Sequence, residues 1–556
     1  MEQAWRTILV VLLAVLVSLN VPETHAELYT ALAHMENLVS TEADLSESLQ
    51  RYVAAEEARL NRIKMLARSV GNISSEATAD VAKYLGHPVN AYRLLRRFVS
   101  DWREVEDLLN EPSNNEKDFL MTLDERRPLF PTSDDVSGAA TALMRLQHTY
   151  ALSAADIVDG QIPGDQKEPM AAADCFYLGT IAYEATNYKR TKDWMEQTVR
   201  KMGEEDNGDI DLATVYDYLA FAEYKLGNVR KALKLTRELL AMDPDHPRAA
   251  SNIRHYEEIA AEENRQKRGE TGNDAPSEEK KKKKDELSEL NEWERERRQY
   301  ENLCREPVPM KKSLKKRLKC YYTTGKRHPR LILRPVKVEV AFIKPTILIF
   351  RDVLSEPEMN RLKELAYSRL NRATAFNSAE GKYLPADYRI SKSSWLGPEI
   401  DDTGTIQVID NRIEAMTGLS METAEQLQVV NYGIGGQYEP HFDYARKGEE
   451  AFSHSEGGNR IATVLFYMSD VEAGGATVFP KVGARIIPSK GDASFWYNLL
   501  PSGDGDGLTR HAGCPVLSGT KWVCNKWIHE RGQEFRKKCK INRNENWDIH
   551  IPENNY

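Results

Sequence analysis

The chain has 556 residues, 41% hydrophobic and 29% charged, the make-up of a large soluble protein of three or four domains. Its net charge of −9 leaves no global basic field for nucleic acid, and 32 Gly with 24 Pro exclude a collagen-like chain. Six Cys in this length exclude a disulfide-stapled miniprotein.

At the N-terminus Arg6 precedes an apolar run from Ile8 to Leu19, then Asn20, Pro22 and Thr24-His25-Ala26. A basic start, a short apolar stretch and a small-residue ending predict a secretory signal peptide over residues 1–26. About 12 apolar residues fall short of the roughly 20 that a span needs, so no membrane span is expected. The secretory route permits disulfides, and Asn72-Ile73-Ser74 becomes a candidate glycosylation site. The ending Glu553-Asn554-Asn555-Tyr556 is no retrieval signal, so residence in the endoplasmic reticulum lumen calls for a retained partner.

Residues 27–165 read as helical. Leu45, Leu49, Val53, Leu60, Ile63 and Leu66 recur at helical spacing with Glu and Arg between them. That stripe suits a dimerising coiled coil or an intramolecular bundle, and periodicity does not separate the two. We favour self-association.

Residues 166–257 hold an internal echo. Leu178-Gly179…Tyr183…Asn187-Tyr188 returns 41 residues later as Leu219-Ala220…Tyr224…Asn228-Val229. With Ala232-Leu233 and Asp243-Pro244 following, the second copy reads as a tetratricopeptide (TPR) helix pair, a unit that stacks into a concave groove. Asp217, Phe221 and Tyr224 share one helix face, with Tyr218 beside them. Such polar-tipped rings suit a polyproline-II ligand, although they would equally serve as the repeat's own core. Residues 258–335 form a charged linker and junction, with five lysines at Lys280–Lys284 flanked by acids.

From 336 to 545 short β-type runs alternate with Gly, Pro and Asp turns, which predicts a β-sandwich or jelly roll. The runs are Ile347–Phe350, Gln428–Tyr432, Ile461–Tyr467, Thr477–Phe479, Ser494–Tyr497 and Trp522–Trp527, with Leu331–Leu333 just before. One helix around Glu356–Leu370 is expected to cover a face. His441-Phe442-Asp443 places two ligand-type side chains at i and i+2, on one face if the segment is a strand. His511 is the best third ligand. Two His and one carboxylate leave half an octahedron open, the arrangement of non-haem Fe(II) oxygenases. H-x-D alone is a weak signal. Lys521 strengthens it: with a turn at Ser518-Gly519-Thr520, His511 and Lys521 are expected on one hairpin, Lys521 sharing parity with Trp527 and His529. A buried ammonium needs an anion, and the distal carboxylate of a chelating 2-oxoacid would supply it.

The runs Gln428–Gly433, Gly436–Asp443, Gly458–Thr463, Gly474–Pro480 and Lys521–Trp527 together resemble the catalytic domain of the collagen prolyl 4-hydroxylase α subunit. Leu85–Tyr92 resembles its N-terminal domain, and the Tyr-rich repeat its peptide-substrate-binding domain. The resemblance implies a multidomain α+β chain: a helical N-terminal domain, a TPR-like domain and a C-terminal double-stranded β-helix. It implies Fe(II) on His441, Asp443 and His511, with the 2-oxoglutarate C5 carboxylate on Lys521. His529 would assist the co-substrate and its decarboxylation, and Tyr432 would lie near it. Tyr438, Arg460 and Trp527 would lie near the peptide. In the repeat, Asp217, Tyr218, Phe221 and Tyr224 match a Tyr-rich motif, with Phe221 and His255 standing where the family has Tyr, and Asn252 would clamp the peptide backbone. Cys304 would pair with Cys320 and Cys514 with Cys539, leaving Cys175 and Cys524. The implied activity hydroxylates proline at C4 in X-Pro-Gly sequences of procollagen, converting 2-oxoglutarate and O₂ to succinate and CO₂, with L-ascorbate as a further cofactor. The implied assembly is an α₂β₂ tetramer with protein disulfide isomerase. Two rivals stand beside it: a lysyl hydroxylase, which typically carries Arg in place of Lys521, and a non-catalytic procollagen-binding chaperone.

Overall fold

The computed structural model describes residues 28–79, 102, 114–163, 170–204, 210–269, 290–377, 382–385, 388–449, 451–452, 457–542, 545 and 547. The signal peptide, Leu85–Tyr92 and the lysine run Lys280–Lys284 lie outside the described residues. Two compact units result, residues 34–132 and the remainder of the chain.

Within the first unit the main element is a helix, Leu32–Ala79, followed by a second at Asn114–Arg126. Arg126 reaches Asp44 at 2.8 Å. The stripe read from the sequence stays largely uncovered: Leu49, Val53 and Leu60 are 44%, 46% and 50% exposed. Asn72 is exposed on the same helix.

In the larger unit, helices Ala172–Glu184, Tyr188–Met202, Leu212–Lys225, Val229–Met242 and Ala249–Gly269 pack in succession, two TPR pairs and a closing helix. Asp211 caps the third by accepting from the Ala213 and Thr214 amides, satisfying two donors that a helix start leaves free. Trp194, Leu219 and Leu239 seal the interior, which leaves the Tyr row outside it, half-buried.

The C-terminal region is a sandwich. Nine strands pair in the order Cys320–Thr323, Val336–Phe342, Ile347–Arg351, Ala493–Tyr497, Arg460–Tyr467, Lys521–His529, Leu427–Tyr432, Lys392–Leu396 and Asn371–Arg372. A four-stranded sheet, Ala484–Ile486, Thr477–Phe479, His511–Gly513 and Tyr438–His441, lies opposite. Successive side chains on a strand alternate faces, so each long strand feeds two cores. Ile349, Val430, Leu465, Trp496 and Val523 pack with Phe479 and Ile486 of the smaller sheet. Phe350, Val429, Phe466 and Cys524 turn the other way, onto Leu362, Ile409 and Ile413 of helices Glu356–Tyr367 and Thr405–Thr417. With both faces covered the strands read as continuous apolar runs, which is why they were legible.

Three expectations are corrected. His511 and Lys521 do not share a hairpin: Pro515 interrupts the intervening chain, Val516–Ser518 pairs with Ala473–Gly474, and His511 and Lys521 begin strands in different sheets. Leu331–Leu333 is no strand, because Pro329 and the His328 side chain start a one-turn helix, Pro329–Ile332. The disulfide joins Cys304 to Cys514, Cα atoms 5.6 Å apart, in place of the Cys304–Cys320 and Cys514–Cys539 pairs. Helix Glu292–Arg305, capped by an Asn291/Glu294 box, buries Tyr300, Leu303 and Cys304 against Val478, Ala512 and Cys514. That packing brings the two sulfurs together, while Cys320 and Cys539 stay exposed. Cys175 and Cys524 are buried and unbridged, Cys524 on the face away from Lys521 as parity requires.

Candidate active site

His441 ends strand Tyr438–His441 and pairs directly with His511, the first residue of the antiparallel neighbour. Register alone therefore brings the two rings together, 4.4 Å between centroids. Asp443 lies just beyond the strand end, so the turn, not strand alternation, aims it inward. Its Oδ1 is 3.6 Å from His441 Nε2 and its Oδ2 3.5 Å from His511 Nε2. The three ligand-type atoms all lie within 4.8 Å of one another.

Surrounding hydrogen bonds fix these groups. His441 Nδ1 donates to the Glu439 carbonyl at 2.7 Å and His511 Nδ1 to the Thr509 carbonyl at 3.0 Å. A carbonyl can only accept, so each Nδ1 carries a hydrogen, and each ring in its neutral form presents an Nε2 lone pair to the centre. Asp443 Oδ2 accepts from Thr463 Oγ1 at 2.7 Å, Thr463 from Asn498 Nδ2 at 2.9 Å, and Asn498 Oδ1 from Trp496 Nε1 at 2.9 Å. Burial opposes a charge on Asp443, yet His511, His441 and Arg460 outweigh it and hold the carboxyl well below its usual range. Burial draws His511 down to about 4, which favours the neutral, ligating imidazole.

Lys521 opens strand Lys521–His529 and pairs with Tyr432. It is 2% exposed, its Nζ 4.7 Å from the Tyr432 ring centre. No carboxylate pairs with it among the described residues, and burial alone pulls its ammonium down to about 7. Gly513 keeps the space beside it open, for a Cβ there would stand 3.6 Å from Nζ and 3.5 Å from the Tyr432 hydroxyl. A buried cation without an anion among the described residues, beside two imidazoles and a carboxylate, fits a carboxylate-bearing metal chelator.

A cavity of about 680 Å³ opens over the cluster, lined by Tyr438, His441, Asp443, Glu425, Arg460 and Trp527 among others. Tyr438 stacks on His441 at 3.5 Å, and the Arg460 guanidinium lies 3.9 Å from the Trp527 ring centre. Trp527 Nε1 has no acceptor among the described residues. His529 is set back: Nδ1 meets the Gly458 carbonyl at 2.5 Å and Nε2 meets Glu425 at 3.0 Å, so protein oxygens occupy both nitrogens. Glu425 also takes Arg460 at 2.5 and 2.8 Å; burial raises its pKa, but Arg460 and His529 leave it lowered. Sequence reading missed Glu425, Thr463 and Asn498. None sits in a ligand-spaced motif, so no local signal marks them.

In the repeat, Tyr183, Tyr218, Phe221, Tyr224 and His255 form one aromatic row, with neighbouring ring centres between 4.9 and 6.2 Å apart. Tyr224 Oη bonds His255 Nε2 at 3.1 Å, and Asp217 is held by Arg248. Asn252 is half-buried on the closing helix.

Three family models match successive parts of this chain. Residues 31–164 match the prolyl 4-hydroxylase alpha-subunit N-terminal region, 172–262 the prolyl 4-hydroxylase peptide-substrate-binding domain, and 427–529 the 2OG-Fe(II) oxygenase superfamily. Prolyl 4-hydroxylase subunit alpha-1 of Gallus gallus is 46% identical over 93% of this chain and 99% of its own length. The Homo sapiens alpha-1 subunit is 46% identical over 93% and 96%, and the Gallus gallus alpha-2 subunit 44% over 92% and 95%.

Proposed function

The chain belongs to the prolyl 4-hydroxylase α-subunit family, and from that premise we propose that His441, Asp443 and His511 hold its Fe(II) while Lys521 anchors 2-oxoglutarate. It is a 2-oxoglutarate-dependent dioxygenase acting on procollagen proline, with ascorbate typical of the family. Iron and co-substrate, when bound, supply the oxidant for C4 of the proline ring. The chain's own residues hold and shield them. Thr463 and Asn498 orient Asp443, the two backbone carbonyls fix the imidazole tautomers, and the Lys521 ammonium neutralises the distal carboxylate. His529 acts through Glu425 and Arg460, steadying the cavity wall beside Asp443. Tyr432 packs against the Lys521 side, and Tyr438, Arg460 and Trp527 receive the peptide, Trp527 Nε1 offering a donor to a peptide carbonyl.

The TPR-like domain, residues 166–257, binds a proline-rich peptide along Asp217, Tyr218, Phe221, Tyr224 and Asn252. In this reading residues 27–165 join two α chains, 258–335 link, and 336–545 catalyse. The exposed Leu49, Val53 and Leu60 support self-association. Protein disulfide isomerase completes an α₂β₂ tetramer and retains the chain in the endoplasmic reticulum lumen after removal of residues 1–26, with Asn72 glycosylated. No helix among the described residues is long and apolar enough to cross a membrane. The observation that carries the reading is the His441–Asp443–His511 cluster beside an anion-less, buried Lys521. The test is turnover of a (Pro-Pro-Gly)-type peptide after co-expression with protein disulfide isomerase. Hydroxyproline matched by succinate, and abolished by His441→Ala, is expected; an assembled protein that binds no iron would overturn the assignment.

A further inference from the structure

Residues 311–337 carry eleven lysines and arginines and no aspartate or glutamate, in a chain whose net charge is −9. All eleven are exposed. Like charges at this density repel one another and weaken the fold unless something opposes them. Lysines beside a sheet edge do discourage strand pairing, but the edge strand Cys320–Thr323 is itself uncharged and the cations extend well beyond it.

Where the segment folds over the end of the large sheet, a cleft of about 710 Å³ is lined by Arg330, Arg334, Lys337, Arg351 and Arg412 against Asp352 and Glu358. Three of these cations are neutralised within the protein: Lys337 by Asp352 at 2.5 Å, Arg351 by Glu339 and Asp492 at 2.6 Å, Arg412 by Glu358 at 2.6 Å. Arg330 and Arg334 have no ion pair among the described residues. Next to them Ile332 is 52% and Leu333 95% exposed.

We propose that this cleft and its basic rim bind an acidic polypeptide segment, with carboxylates on Arg330 and Arg334 and apolar side chains on Ile332 and Leu333. A guanidinium takes a carboxylate through two parallel hydrogen bonds. A sulfated polysaccharide would satisfy the cations but has no apolar surface for Leu333. A bilayer presents a plane of headgroups, whereas Arg330 and Arg334 line a concavity. None of these residues lines the cavity over the metal cluster, so the surface is separate from the hydroxylation site.

The test is fluorescence anisotropy of the full chain with a labelled Glu-rich peptide carrying two leucines. R330E/R334E should weaken binding by about tenfold or more, since two charge-assisted contacts are lost. R330Q/R334Q should fall between, and the exposed-helix control R295E/R298E should leave binding unchanged. Retained iron binding reports an intact fold, and if R330E/R334E loses it the glutamine pair carries the test. Unchanged affinity in that pair overturns the proposal. So does tighter, equally Arg330/Arg334-dependent binding to heparin or to phosphatidylserine vesicles.

Discussion

The metal cluster and the aromatic row are both built from polar-tipped side chains, yet the fold treats them in opposite ways. Around Asp443 the ligand groups are buried, His441 partly so, and their remaining hydrogen bonds are closed by Thr463, Asn498, Glu439 and Thr509. Along the repeat, Tyr183, Phe221 and Tyr224 are half-exposed and the hydrogen bonds that exist, such as Tyr224 to His255, are at the surface. Chemistry needs groups held within tenths of an ångström in a low dielectric; recognition of a stiff, repetitive peptide needs accessible rings. Loss of one group should therefore be severe in the first region and graded in the second.

The largest effect is expected at the ligands. Asp443→Asn or His511→Ala should reduce both iron content, by metal analysis, and succinate formation to background. A comparable loss at Tyr224 would break the contrast. Lys521→Met comes next, removing a charge-assisted contact of roughly 1.5–3 kcal/mol, or about 10- to 100-fold in 2-oxoglutarate affinity by calorimetry. The same substitution should raise the stability of the co-substrate-free protein at pH 7, because it deletes a buried, unpaired cation. Thr463→Val should cost about 10- to 100-fold in iron affinity, the usual weight of a group that orients a ligand.

Acidity sharpens the point further. In the free protein burial draws the Lys521 ammonium down to about 7, and a bound carboxylate would raise that value. Affinity for 2-oxoglutarate should be flat below about pH 7 and decline above it. Stability of the free protein runs the other way. The unfolded lysine keeps its proton up to its ordinary 10.5, so the unfolded state holds more protons between about 7 and 10.5 and stability rises with pH across that window. Lys521→Met should flatten both profiles. The smallest effects belong to the repeat: Phe221→Tyr or Tyr224→Phe should move proline-rich peptide affinity by less than about tenfold, since one exposed hydrogen bond is worth roughly 1 kcal/mol.

Much of the site was legible because its residues are of types that chemistry singles out. His441-Phe442-Asp443, His511 and Lys521 carry ligand atoms or a charge, and the apolar runs flanking them announce buried strands. Thr463 and Asn498 were not legible, being ordinary polar residues on a strand and at a strand end. Glu425 was hidden for the same reason, its meaning arising only when Arg460 and His529 converge on it. The disulfide failed differently: cysteine positions are visible in a sequence, but which two sulfurs meet depends on helix Glu292–Arg305 packing across Val478 and Ala512.

By itself the sequence determined what depends on neighbours along the chain: helical periodicity in the repeat, the two-residue alternation that turns Lys521 inward and Cys524 outward, and the side chains able to hold iron. Tertiary structure decided everything that depends on separation in space. It set His441 opposite His511 through strand register, put His511 and Lys521 in facing sheets, and left Lys521 buried with no protein anion beside it. Burial and register are properties of a sum over distant segments, and no window of the chain contains that sum.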